Sequence, residues 1–302
     1  VEGCGGLSVT PKRVLILGAQ GQLGIELQRT FLSAGEVTAL GRDKCDLSRP
    51  KTIREAMAEV RPEIVLNAAA YTAVDRAELE QELAMRVNGE AAGVLAEEAR
   101  KVNALLVHYS TDYVFDGSKT KPWIEDDAPN PINFYGASKL AGERNIAEAA
   151  GRYLIFRTSW VYSPHGQNFL RTMLRLGEER DKLRVVNDQI GAPTTAADLA
   201  MGTRVVIDRL DADDLLQSAD WSGIYHMTCA GETSWCGFAK EIFHRSVPPE
   251  HKPWPEVVGI PDAEYPTPAK RPKNSVLSNS KLRARFGVAL PSWEDALAET
   301  LG

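Results

Sequence analysis

Val14-Leu15-Ile16-Leu17-Gly18-Ala19-Gln20-Gly21-Gln22-Leu23-Gly24 is the stretch on which the fold turns. The unbroken apolar run from Val14 to Leu17 reads as a parallel strand buried on both faces. After the glycines, Leu23, Leu27 and Phe31 recur at helical spacing. A strand, a glycine turn and a helix in immediate succession open a dinucleotide-binding unit. Gly18 permits the tight turn, Gly21 lets the backbone approach a pyrophosphate, and Gly24 lets the helix pack closely on the strand. The helix N-terminus adds free N–H groups and the positive end of its dipole. A bare tight turn is the plainer reading, and the strand in front of it argues against that.

Outward from this loop the rhythm repeats. Val37-Thr38-Ala39-Leu40 is a second strand, ending about 20 residues after the glycines, where an acidic side chain usually holds the ribose 2′-OH of NAD. Gly41-Arg42 stands there instead. A guanidinium suits the extra phosphate of NADP, so NADPH is the expected coenzyme, with NADH as the alternative. Asp43 pulls the other way, and a solvated loop charge is the plain alternative for Arg42.

Further strands are predicted over 62–67, 104–109 and 153–157, with helices over 52–60, 84–99 and 133–149 between them. Such alternation implies an α/β, Rossmann-type doubly wound parallel sheet covered by helices on both faces. Residues 12–165 form the dinucleotide-binding domain in this reading, after a flexible tail over 1–11. Residues 166–302 form a smaller C-terminal substrate domain, partly interleaved, because roughly 183–228 returns to the first. Proline crowds 248–275, which therefore cannot be mostly regular structure. Long loops of this kind often cover ligand. Its Lys270-Arg271-Pro272-Lys273 cluster suits a diphosphate or is a solvated charge run.

Composition narrows the classes. At 302 residues, 43% hydrophobic and 25% charged, the chain is an ordinary globular one rather than disordered or fibrous. A net charge of −6 argues against a nucleic-acid partner. No run approaches the ~18 apolar residues of a membrane span. The first ten residues carry neither a basic leader nor an apolar core, so the expectation is a cytoplasmic protein without a signal peptide. Cys4, Cys45, Cys229 and Cys236 include no C-x-x-C pair and suit reduced thiols. The five histidines, His108 and His226 among them, have no metal-ligand spacing, and His226 reads as a hydrogen-bonded structural residue.

Tyr135-Gly136-Ala137-Ser138-Lys139 carries the chemistry. On a helix, residues four apart share a face. A free tyrosine titrates near ~10, and a neighbouring ammonium favours the phenolate. Lys139 is therefore expected to lower the pKa of Tyr135 toward useful proton transfer and to hold the nicotinamide ribose. Ser110-Thr111, at the end of the fourth strand, is placed to orient a substrate carbonyl. Gly21, Ala70, Ser110-Thr111 and Thr158-Ser159-Trp160 all fall at the carboxyl ends of strands, where ligands bind in such sheets.

The spacing G-x-x-G-x-x-G resembles that of extended short-chain dehydrogenases. Five further segments resemble the dTDP-4-dehydrorhamnose reductases: 109–117 (YSTDYVFDG), 135–143 (YGASKLAGE), 156–162 (FRTSWVY), 187–194 (NDQIGAPT) and 265–272 (YPTPAKRP). The resemblance runs almost the length of the chain. It implies reduction of the C4 ketone of dTDP-6-deoxy-L-lyxo-4-hexulose, a dTDP-sugar, with Thr111, Tyr135 and Lys139 as the catalytic set. It implies Thr111, Asp112, Tyr135 and Trp160 as sugar-nucleotide contacts. Around the cofactor it implies Gln22, Leu23, Asp46, Leu47, Ala70, Tyr71, Thr72 and Tyr109, beside Gly18, Gly21, Gly24 and Arg42. Some members dimerise around a magnesium ion held by three glutamates. Glu26 and Glu294 match two of those places, but the third is Ala197, with Asp198 one residue off. Solvated surface acids are therefore expected rather than a metal site, and a homodimer stays open. Two other readings compete: a nucleotide-sugar epimerase or dehydratase, and a non-catalytic NADP-binding regulatory subunit. The first usually keeps the second-strand acid; the second need not keep the catalytic residues, and this chain keeps them.

Overall fold

The computed structural model describes residues 12–212, 220–250 and 252–302, so the expected tail over 1–11 lies outside the described residues. Five strands alternate with helices: β1 (Lys12–Leu17), β2 (Gly35–Leu40), β3 (Ile64–Asn67), β4 (Leu105–Thr111) and β5 (Arg152–Thr158). Short strands follow, β6 (Val161–Tyr162), β7 (Lys182–Val186), β8 (Ile190–Gly191) and β9 (Thr194–Thr195), then β10 (Gly223–His226), β11 (Thr233–Ser234) and β12 (Glu256–Ile260). The helices are α1 (Gln22–Phe31), α2 (Pro50–Val60), α3 (Val74–Ala77), α4 (Gln81–Ala84), α5 (Ala91–Lys101), α6 (Phe134–Glu148), α7 (Phe169–Glu179), α8 (Ala196–Ala212) and α9 (Trp235–Arg245), before two more near the C-terminus.

The main sheet has six strands in the order β10-β5-β4-β3-β1-β2, all parallel. Alternation along each strand divides the core in two. Val14, Ile16, Val107, Leu154 and Phe156 face α1 and α8, where Leu27, Phe31, Leu199 and Val206 meet them. Leu15, Leu17, Val65, Leu106 and Ile155 face the other layer, against Ile53, Met57, Leu95 and Ile146. Each such side chain contributes roughly 1.5–3 kcal/mol on burial. Between β1 and β3 the strand order reverses, and the crevice at that reversal is where an open α/β sheet takes its ligand.

Two elements depart from the sequence reading. The helix expected over 84–99 begins as a π-helical stretch, Met85–Glu90, before α5. This wide turn makes room for α6: a Cβ on Gly142 would lie 2.2 Å from the Asn88 carbonyl oxygen. The proline-rich segment holds one regular strand, β12, whose register with β7 runs from Glu256–Lys182 to Ile260–Val186. Prolines flank it rather than occupy it, so its N–H groups remain available to the ladder. Of residues 183–228, α8 and β10 pack on the main sheet, whereas β7 pairs with β12 and its side chains join a third core with Leu170, Phe238 and Trp293.

Candidate active site

The glycine loop is built as its spacing implies. Gly18 has φ +82°, a left-handed conformation suited to glycine, and a Cβ there would lie 2.8 Å from the Ala69 nitrogen after β3. A Cβ on Gly24 would lie 2.0 Å from the Gly18 carbonyl oxygen, so only glycine lets α1 begin this close to the turn. Gly21 is the N-cap of α1 and brings no capping side chain, leaving the first-turn N–H groups for an anion. Leu23 is buried beneath, and the small residues Ala68, Ala69 and Ala70 form the opposite wall. These features fit a dinucleotide pyrophosphate. The Gln22 side chain is already engaged: its Oε1 accepts from Asn168 Nδ2 at 2.7 Å and from Ser163 Oγ at 3.1 Å. Asn168 also caps α7, its Oδ1 accepting from the Arg171 N–H at 3.0 Å.

Beyond β2, the Arg42 side chain is 75% exposed, with its Nε 3.8 Å from Asp46 Oδ2. Nothing buried holds that guanidinium, so it is free to turn toward a phosphate. Asp46 accepts from the Ser48 N–H and hydroxyl at 2.9 and 2.8 Å. Partial burial pushes its carboxyl up, but those bonds and the nearby Arg42 and Arg49 outweigh this and hold it below its ordinary value. Leu47 is buried beside it. Tyr71 follows β3 with its hydroxyl on Glu80 Oε2 at 2.7 Å, and its backbone N–H and carbonyl are both held by the Asn88 amide. Thr72 is exposed next to it.

Thr111, Asp112, Tyr135 and Lys139 are brought together at the carboxyl end of β4. Asn133 caps α6 through the Gly136 N–H at 2.8 Å, which places Tyr135 on the first turn and Lys139 on the second. Thr111 Oγ1 donates to Asp112 Oδ1 at 3.0 Å. The Asp112 carboxyl is buried, and its Oδ2 has no hydrogen-bond partner among the described residues. Burial pushes its pKa up to about 7 against hydrogen bonds from Ser275 and Thr111. The Tyr135 ring meets Tyr113 edge-on at 5.9 Å. Burial, then the Asp112 charge, raise the phenol above its ordinary value, with a hydrogen bond from Thr111 opposing them.

The expected pairing of Lys139 with Tyr135 is therefore corrected. Lys139 does not lower the phenol here. Its Nζ is buried and turned toward β4, 2.6 Å from the Tyr109 carbonyl oxygen and 3.1 Å from His108 Nε2. Helical spacing puts the two side chains on one face, but the long lysine stem reaches the polar groups of the strand beneath. Tyr109 is likewise redirected: strand alternation sends its phenol into the α8 layer, where it meets Thr203 Oγ1 at 2.8 Å. Only its carbonyl remains at the site. Ser110, one residue from Thr111, faces α6 instead and donates to Glu143 Oε1 at 2.5 Å.

Trp160 follows β5 with φ +48°, a conformation a non-glycine residue adopts only when its surroundings impose it. Its ring stacks on Trp235 at 3.5 Å, 8° from parallel. Trp235 and Phe169 border a cavity of about 650 Å³ between α7, β7 and the proline-rich segment, with Arg180, Arg184, Gln189 and Arg271 on its wall. Arg271 forks onto both oxygens of Asp75, at 2.9 and 2.8 Å, and Lys273 lies 3.5 Å from Asp188, while Lys270 is exposed, so within the basic cluster Arg271 is firmly committed to the protein. Of the residues matched to a magnesium site, Glu26 is buried on the core-facing side of α1 rather than solvated, which corrects that expectation, and it pairs with Arg29 at 3.0 Å; Asp198, one residue off the third place, accepts from Thr195.

Sequence reasoning passed over His108, Asn67, Asn88, Glu143, Arg157 and Trp235. A polar residue inside an otherwise apolar strand, as in Leu105-Leu106-Val107-His108, was the available signal for the first. The others touch the site through contacts with residues distant in sequence.

Six parallel strands, a glycine turn at the switch point and a helix carrying tyrosine and lysine one turn apart define a Rossmann-type fold of the short-chain dehydrogenase/reductase kind. The RmlD substrate binding domain profile matches residues 12–302. A dTDP-4-dehydrorhamnose reductase of Burkholderia thailandensis is 50% identical over 288 residues, covering 94% of this chain and 96% of the relative. One from Escherichia coli K12 is 42% identical over 93% of this chain and 94% of its own. The crystal structure of the Bacillus anthracis dTDP-4-dehydrorhamnose reductase in complex with NADP superposes with a TM-score of 0.86 at 37% identity, over 96% of this chain and 99% of that one. The chain belongs to the dTDP-4-dehydrorhamnose reductase family.

Proposed function

We propose that the protein reduces the C4 ketone of dTDP-6-deoxy-L-lyxo-4-hexulose to give dTDP-L-rhamnose, with NADPH as the hydride donor. The convergence of Thr111, Tyr135 and Lys139 at the carboxyl end of β4, on the same edge of the parallel sheet as the glycine turn that follows β1, carries this reading. The names of relatives that match along nearly the whole chain, and the NADP complex of the Bacillus anthracis reductase, support it. The bound nicotinamide supplies the hydride. Tyr135 gives its phenolic proton to the carbonyl oxygen, which Thr111 orients by hydrogen bond. The phenol is protonated at neutral pH and so carries the proton to be given; burial makes it a weaker acid than a free tyrosine, and a charged Lys139 beside it would strengthen it. Lys139 serves the ribose and, with its charge in place, the phenolate left behind. Asp112 has an unpartnered buried oxygen for a sugar hydroxyl. Oxidation of NADPH on adding the 4-keto sugar nucleotide, with NADH run alongside, tests the reading; no oxidation of either coenzyme would sink it.

Arg42 is proposed to contact the 2′-phosphate of NADPH. A charge-assisted bond of this kind contributes about 1.5–3 kcal/mol, so Arg42→Ala is expected to weaken NADPH roughly tenfold or more while NADH affinity is nearly unchanged. Fluorescence titration with both coenzymes measures this. Equal losses would place Arg42 against another part of the cofactor.

Trp160 is proposed to lay its indole face against the deoxysugar. Its half-exposed ring, imposed backbone and stack on Trp235 form an apolar wall at the ligand edge of the sheet. Trp160→Ala is expected to raise the KM for the sugar nucleotide on the order of tenfold, with coenzyme affinity and Tm near wild type. A large fall in Tm with unchanged KM would assign the ring to packing alone.

A further inference from the structure

A chain of hydrogen bonds runs beneath the site, and its direction is fixed at one end. The Ala69 N–H donates to Asn67 Oδ1 at 3.2 Å, which turns the NH2 of that amide toward His108 Nδ1, 3.0 Å away. A neutral imidazole that accepts at Nδ1 carries its proton on Nε2. That N–H faces Lys139 Nζ at 3.1 Å. An ammonium has three donors and no lone pair, so in that form Nζ and Nε2–H would be two donors face to face. A neutral amine accepts from His108 and still donates to the Tyr109 carbonyl at 2.6 Å. Every bond in the chain is then satisfied.

We propose that His108 is a positioning residue that favours the neutral amine of Lys139 in the cofactor-free protein, and gives it up when an anionic dinucleotide draws a proton from solvent onto Nζ. The proposal rests on the reductase reading above. The surroundings agree with it. Burial lowers Lys139 to about 8, with the Glu143 charge one turn further along α6 holding it up. Glu143 is itself paired with Arg157 of β5. Among the described residues, the hydrogen-bond partners of Lys139 on β4 are His108 and the Tyr109 carbonyl, and behind them Asn67 of β3 is uncharged. Burial alone keeps His108 well below the usual imidazole value, and a charge on Lys139, when present, lowers it further, so the ring stays neutral in either state of the lysine. Once Nζ is protonated, it loses its fit to Nε2–H and becomes available to Tyr135, one turn earlier on the same helix. The expectation that lysine charge assists the phenol and the geometry in which it does not then belong to two stages of one cycle.

Proton uptake on NADPH binding measures this without turnover. Calorimetric titration in two buffers of different ionisation enthalpy, at about pH 9, is expected to show uptake of more than about half a proton per site by the wild type. In Asn67→Asp, a carboxylate would accept from both the Ala69 N–H and His108 Nδ1–H, reversing the tautomer and making Nε2 an acceptor for an ammonium. Uptake in that variant is expected to fall below roughly 0.2 proton. His108→Gln, which offers a carbonyl oxygen to the ammonium without adding charge, is expected to fall likewise and guards against misfolding of the aspartate variant. Lys139→Met removes the titrating group and sets the baseline. Tight NADPH binding by the wild type with no uptake, or equal uptake in wild type and both tautomer variants, would overturn the proposal. A wild type that binds no NADPH at all would instead bring down the reductase reading and this proposal with it.

Discussion

Tyr135→Phe is expected to lower kcat by about two to four orders of magnitude while NADPH affinity stays within a factor of about two. The substitution removes only the hydroxyl. The ring keeps its edge-on contact with Tyr113, and the cap on α6 lies elsewhere, on Asn133 and Gly136. In the proposed mechanism, what disappears is the proton that Tyr135 gives to the substrate oxygen as the hydride reaches carbon. Single-turnover kinetics with saturating NADPH separate this from binding, and half or more of wild-type turnover in the variant would defeat the mechanism. In the cofactor-free protein the phenol lies above its ordinary value, so it carries its proton throughout the neutral range.

Glu143→Ala is expected to have the largest effect on stability. Glu143 accepts from Arg157 Nε and Nη2 at 2.9 and 2.6 Å, and from Ser110 Oγ at 2.5 Å, with both charged side chains 2% exposed. It ties α6, β4 and β5 together behind Thr111, Tyr135 and Lys139. Removing it strands a buried guanidinium whose Nη1 already lacks a partner. Breaking such a pair from one side costs about 3–5 kcal/mol, a large part of the roughly 5–15 kcal/mol that holds a domain folded. In a chain of this length the Tm should drop by roughly 5–15 °C. Replacing both partners, Glu143→Leu with Arg157→Met, should recover much of the loss, because no charge is left unpaired. Calorimetric melts of the single and double variants decide it: a single variant as stable as wild type would mean that water reaches Arg157.

The sheet and the glycine turn were legible because their signals are local. Val14 to Leu17 is apolar without a break, and three glycines follow at a spacing that backbone sterics explain one by one. The tyrosine-lysine face was legible for the same reason, since helical periodicity is written in consecutive residues. The target of the lysine was not. It is chosen by His108 and Tyr109, about thirty residues upstream, and by an alternation on β4 that sends His108 and Ser110 one way and Tyr109 the other. The π-helical stretch was invisible because its cause, the approach of Gly142 to the Asn88 carbonyl, lies across two helices. Strand β12 was hidden by the prolines on either side of it.

The Asn168 amide works at both ends. Its oxygen caps α7, whose Phe169 and Met173 border the cavity, while its nitrogen reaches Gln22 at the mouth of the glycine turn. Pulling the two halves of the cleft apart therefore tugs on the same group that keeps the first turn of α7 wound. Widening of the cleft and fraying of that turn become one mechanical event, and a ligand that seats on the glycine turn stiffens the far wall of the cavity without touching it.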